Sequence, residues 1–282
     1  GAEPFEIEAV VPNLFISLDR SCSMDAKPGA LPATKWKIAV DALVKMTTDF
    51  NGKIRWGLAM FPDTVTPSCA QGAAAIPVGN GNESAIQTLL TNALQKSDPN
   101  FPDGPCVTNI DTAMEQASLE PALADKTRPS YVLLITDGNQ AGCSLAGGDA
   151  GTTQIIQTLF ANGVPTFVIG FGAGIDPNQM NIFADAGGVP NNDPTIHYYK
   201  ADDQVSLDAA LATIGGKVAS CSFQLQGTPP DPNELYVFFD KLSVPRDTSH
   251  QNGWDYDPAT NTLTFYGQQC QDLKDGKVGK VD

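Results

Sequence analysis

Asp19, Ser21 and Ser23 alternate in LFISLDRSCSM, so that one carboxylate and two hydroxyls leave the end of an apolar run close together. Two more oxygen-bearing positions belong with them: Thr108 in GPCVTNIDTAM, and Asp137 in LLITDG. These five side chains offer only oxygen, the donor set of a hard divalent cation. Mg²⁺, which takes near-octahedral oxygen at about 2.0–2.1 Å and keeps part of its water shell, fits best, with Mn²⁺ or Ca²⁺ as alternatives. Softer chemistry has little material. There are two histidines, His197 and His250, and six cysteines without a C-x-x-C pair, so neither a zinc cluster nor a serine-type triad is expected. Helix capping is the bland role for such hydroxyls; it accounts for Thr108 alone but not for the set.

Elements must bring these positions together. LFISLD ends in an acid and predicts a buried strand, and KIRWGLAMFP, SYVLLITDG and PTFVIGFG predict three more. Ile38, Leu43, Val44 and Met46 recur at close to helical spacing behind Thr34 as a cap, predicting a helix in TKWKIAVDALVKMTTDF. Further helices are expected at 83–96, from near Thr108, near 149–162 and 177–186, and at DQVSLDAALATIGG; the stretch from Pro62 to about residue 80 reads as a loop. With a βαβ unit across SYVLLITDG and PTFVIGFG and a short edge strand at IHYYK, the pattern predicts a doubly wound, mainly parallel α/β sheet flanked by helices over residues 1–216. Such sheets bind ligands beyond the carboxyl ends of their strands, where the loops carrying Asp19, Thr108 and Asp137 are expected.

Residues 217–282 differ in character. CSFQLQ, LYVFFDKLSV, GWDY and TLTFYG are aromatic and β-branched, predicting a small all-β appendix with Trp254, Tyr256, Phe265 and Tyr266 mainly in its core. DLKDGKVGKVD lacks the D-x-D-x-D-G order of a calcium loop and reads as a turn; the strand-like end suggests that the native protein continues.

The three motif pieces, in this order, resemble the von Willebrand factor type A domain with its metal-ion-dependent adhesion site, in the secreted or surface version found in bacteria, over roughly residues 10–215. The resemblance implies that Ser21, Ser23 and Thr108 ligate the cation directly and that Asp19 and Asp137 act partly through water. An acidic side chain of a partner protein, or secondarily an acidic glycan, would complete the coordination. One departure stands out: Cys22 occupies the position between the serines where the family usually has glycine. Cys106 lies two residues before Thr108, so both cysteines belong at the metal rim, and a Cys22–Cys106 disulfide is expected to staple two metal loops. Cys69 and Cys143 each follow a strand and can meet at the same end of the sheet, while Cys221 and Cys270 bracket the appendix. Six cysteines allow 15 pairings, and this set is a preference among them. Arg20 is expected at the surface, paired with an acid.

Charge narrows the partners. Thirty-two acidic against 17 basic side chains give a net charge of −15, which argues against nucleic acid and anionic membrane surfaces. No run approaches the roughly 18 apolar residues of a spanning helix. GAEPFEIEAV lacks the basic start and apolar core of a signal peptide, which leaves room for a mature exported chain. The even cysteine set predicts an oxidising location: secreted, periplasmic or cell surface. The expected function is a cation-dependent adhesion or protein-binding module and not an enzyme, since Asp19 and Asp137 are committed to metal with no histidine or thiolate nearby. Two rivals remain: an intracellular type A adaptor for an ATPase- or chelatase-type partner, which would keep free thiols, and a structural surface or pilus component with a vestigial metal site.

Overall fold

In the computed structural model, which describes residues 5–63, 69–275 and 277–282, the chain forms two units of different architecture. The larger is Pro12–Val218; the smaller joins Gly1–Val11 to Ala219–Asp282. This differs from the expected division into 1–216 and 217–282, because the first strand, β1 (Ile7–Ala9), pairs antiparallel with a strand of the C-terminal unit. Three residues of mixed polarity carry no local signal that could have assigned them there.

In the larger unit, β2 (Asn13–Asp19) is buried along its whole length, as a central parallel strand must be. It lies between β3 (Arg55–Phe61) on one side and β5 (Ser130–Thr136) on the other, with β4 (Ile76–Gly79) outside β3, and β6 (Thr166–Phe171) and β7 (Tyr199–Ala201) beyond β5. All pairs are parallel except β3 with β4. The period-2 alternation of β2 divides the core between the two faces. Leu14, Ile16 and Leu18 pack with α1 (Lys35–Asp49), α2 (Glu83–Asn92) and α6 (Gln204–Val218); Phe15 packs with α3 (Ile110–Ser118), α4 (Gly148–Ala161) and α5 (Pro177–Ala186). This is the doubly wound α/β sheet that the sequence predicts. Thr34 caps α1 as expected, its hydroxyl accepting from the Lys37 amide at 3.2 Å.

β4 corrects part of the expected loop after Pro62, of which residues 64–68 lie outside the described residues. Its four residues include Pro77, which an edge strand tolerates. Gly57 makes the pairing possible, because a Cβ there would stand 2.6 Å from Val78 Cγ2. Among the described residues no helix is long and apolar enough to cross a membrane.

The smaller unit is an antiparallel sheet in the order β1, β8 (Ser222–Leu225), β12 (Thr262–Tyr266), β11 (Gly253–Asp257). LYVFFDKLSV forms a separate hairpin of β9 (Val237–Phe239) and β10 (Leu242–Val244), turned by Asp240 and Lys241 at φ 48° and 73°. Trp254, Tyr256 and Phe265 are in the core; Tyr266 is half-buried and stacks on His250 at 4.3 Å. The unit is not all β, since α7 (Gly267–Lys274) follows β12. None of its residues is fully buried, so no apolar periodicity marked it in the sequence.

Candidate metal centre

Asp19 ends β2 and Asp137 follows β5, and these strands are parallel neighbours. The chain leaves β2 through α1 to reach β3 on one side, whereas β5 lies on the other, so the strand order reverses between them. That reversal opens a crevice at the carboxyl ends, the preferred binding place of open α/β sheets. Beyond Asp19 the chain turns through Ser21 into a short 3₁₀ turn, Cys22–Asp25, which carries Ser23.

The carboxylate of Asp19 is fully buried and held from two sides: Oδ1 accepts from the Ser21 amide at 2.8 Å, and Oδ2 from the Thr136 hydroxyl at 2.7 Å. Ser21 Oγ and Ser23 Oγ are 3.0 Å apart, and Ser23 Oγ donates to Asp137 Oδ1 at 2.7 Å. Thr108 stands just before α3, its backbone bridged to Ala141 by two 2.9 Å hydrogen bonds. A Cβ placed on Gly138 would lie 3.7 Å from Thr108 Oγ1, so this hydroxyl flanks the Asp137-Gly138 turn. The structure therefore brings Asp19, Ser21, Ser23 and Asp137 into one network with Thr108 beside it. Capping is not what the hydroxyls do: Ser21 makes no side-chain cap bond, and the residue capping α3 is Asn109.

Burial, followed by the charge of Asp137, pushes the Asp19 carboxyl up from 3.8 to about 7, although the bonds from Ser21 and Thr136 pull the other way. Two buried carboxylates this close are what a divalent cation relieves. Among the described residues no group of three or more His, Cys, Asp or Glu could hold a metal, so any cation here depends on the hydroxyls. The donors fit one. Two neighbouring ligands of an octahedral Mg²⁺ lie about 3.0 Å apart, which is the Ser21–Ser23 oxygen separation of 3.0 Å. Thr108 Oγ1 has no hydrogen-bond partner among the described residues, leaving its oxygen available.

One member of the site escaped the sequence reading. Lys35 forms an ion pair with Asp137 Oδ2, within a setting where its side chain is 11% exposed and that of Asp137 is 0%. The available signal was a charge of the wrong sign: lysine in the first turn of a helix opposes the macrodipole.

Comparison with known proteins bears on the fold. No family model matches the sequence, and no curated protein does. Solved structures match in three dimensions. Manganese-loaded TRAP protein of Plasmodium vivax gives a TM-score of 0.53 at 16% identity, covering 90% of this chain and 91% of that one. Proximal thread matrix protein 1 of the mussel byssus, with a zinc-occupied MIDAS motif, gives 0.53 at 15% identity over 76% of this chain. The pilus adhesin SpaC of Lactobacillus rhamnosus GG gives 0.54 at 14% identity over 93% of this chain. The chain has the von Willebrand factor type A fold. It spans 49% of the mussel protein and 38% of the pilus adhesin.

Within this type A unit two disulfides brace the loops around the site. Cys22–Cys106 ties the Ser21–Ser23 turn to the segment before Thr108, and Cys69–Cys143 ties the loop after β3 to the loop after β5. Cys22 is not among the described residues with positive φ, so the usual glycine position accepts a Cβ without backbone strain. Arg20 departs from its expected surface pairing. It is 1% exposed, and its guanidinium donates to the carbonyls of Pro99 and Gly104, holding the chain that leads to Cys106. Asp111 was also unforeseen: its buried carboxylate accepts from the amides of Thr112, Ala146 and Gly148 and from Gln140 Nε2, at 2.8 to 3.0 Å. It thereby fixes the loop whose Ala141 pairs with Thr108.

Proposed function

We propose that this chain is a divalent-cation-dependent adhesion module of a secreted or cell-surface protein, binding a partner protein through an Asp or Glu carboxylate. The observation that carries the reading is the convergence of Asp19, Ser21, Ser23 and Asp137 at the ends of adjacent parallel strands, with the open hydroxyl of Thr108 beside them. A bound Mg²⁺, Mn²⁺ or Ca²⁺ would supply a Lewis-acidic position for the partner's carboxylate. The chain's own part is to present oxygens already oriented. Asp19 is anchored by Ser21 and Thr136, and Asp137 by Ser23 and Lys35, so the ordering cost of binding is reduced. We read the role as binding and not catalysis, since the partners of the Asp19 and Asp137 carboxylates are Ser21, Thr136, Ser23 and Lys35, with no histidine or thiolate among them.

Three disulfides favour a secreted, periplasmic or cell-surface location over the intracellular adaptor reading. An adhesin among the structures of like fold, and metal in two others, support the same view. The second reading, a structural surface component with a vestigial site, is favoured by one observation, the Lys35 ammonium on Asp137. Calorimetric titration of the metal-stripped protein with Mg²⁺, Mn²⁺ and Ca²⁺ tests both. One site in the wild type, lost in Asp19→Ala, is expected; no cation binding by the wild type would transfer the conclusion to the structural reading.

A further inference from the structure

Lys35 sits where local physics disfavours it. Its charge opposes the dipole of α1, and burying an ammonium carries a desolvation cost, so its position depends on Asp137. The stem is fitted to its place, since Gly172, at φ 85°, would bring an added Cβ within 3.4 Å of Lys35 Cδ. Asp137 then serves two sides with its two oxygens: Oδ1 accepts from Ser23 in the hydroxyl cluster, and Oδ2 receives the ammonium. A cation held among the hydroxyls need not displace the lysine. Arg20, the neighbouring buried cation, is turned to the carbonyls of Pro99 and Gly104 and does not share this task.

We propose that Lys35 is a specificity-determining residue, a tethered cation that weakens the site's hold on a bare divalent ion and makes retention of that ion conditional on an anionic ligand. The proposal rests on the cation reading given above. A divalent cation would balance the two carboxylates of Asp19 and Asp137 and leave the pocket neutral, whereas Lys35 adds one positive charge to the loaded pocket. That charge repels the ion and attracts a carboxylate. Coupling between two ligands is reciprocal, so a carboxylate that profits from the ion must also tighten it. A purely structural counter-ion behaves differently: its loss would unbalance Asp137 and destabilise the fold without this coupling.

Lys35→Met keeps the stem and removes the charge, and Lys35→Gln serves as a second variant. Mn²⁺ affinity of the metal-stripped whole chain is measured by electron paramagnetic resonance and calorimetry, in sodium acetate and in sodium chloride of equal ionic strength. In chloride both variants are expected to bind Mn²⁺ roughly tenfold more tightly than the wild type, and acetate to tighten Mn²⁺ in the wild type more than in the variants. Variant affinities in chloride within about twofold of the wild type, or weaker, overturn the proposal and leave the cation reading intact. Absence of Mn²⁺ binding in every protein and both salts overturns the two together. Absence of any tightening of wild-type Mn²⁺ binding in acetate likewise overturns the proposal, whether or not the variants fold.

Discussion

Asp19 concentrates the electrostatic conflict of the site in one side chain. Its burial and the nearby Asp137 raise its carboxyl from 3.8 to about 7, so without metal the folded protein holds a proton that the unfolded chain releases. The stability contributed by that proton is complete below about 3.8 and is lost as the pH rises through about 7. Urea unfolding of the metal-stripped protein should therefore show a lower midpoint at pH 8 than at pH 6, and Asp19→Asn should reduce the difference. Proton and cation compete for the same carboxylate, so Mg²⁺ affinity should fall as the pH drops below about 7. Titration calorimetry across that interval checks it; an affinity independent of pH would mean that Asp19 is not a ligand.

Elements matter here through their ends. The β-sheet places Asp19 and Asp137 side by side, but the loops that complete the site are secured by particular residues. Asp111 gathers four N–H donors from three segments, and Asp111→Ala would leave the buried amides of Thr112 and Gly148 without this acceptor. A loss of about 3 kcal/mol in urea unfolding is expected. A loss below about 1 kcal/mol would show that the loop after β5 is held by other means. The Cys22–Cys106 staple acts on the loops of Ser21 and Thr108 together. Replacing both cysteines by serine keeps every oxygen donor but loosens the frame, and should weaken cation binding by about 1 kcal/mol in the same calorimetric assay.

At the scale of the whole molecule, the smaller unit relies on Cys221–Cys270, which closes a sequence separation of 49 residues. Chain entropy assigns that closure about 4 kcal/mol, a large share for a core as limited as the one around Trp254, Leu263 and Phe265. Reduction should therefore redden the emission of Trp254 before that of Trp36 and Trp56, which lie in the core of the larger unit; single-tryptophan variants separate the signals. How much of this architecture was legible follows from the range of each interaction. Apolar runs such as LFISLD and SYVLLIT and the helical spacing after Thr34 are local patterns, so the sequence by itself determined the doubly wound sheet and the strand ends at which Asp19 and Asp137 stand. The D-x-S-x-S spacing is likewise local, and it marked the oxygen donors without any knowledge of their neighbours. The three disulfides formed are the set that the sequence favoured among 15. Tertiary structure alone decided the rest. The pairing of β1 with β8 and the edge strand β4 arise between segments far apart in the chain. The same is true of Lys35, which meets Asp137 across 102 residues: no local period records an ion pair formed only when α1 and the end of β5 are packed over a common crevice, where low exposure makes the charge of each depend on the other.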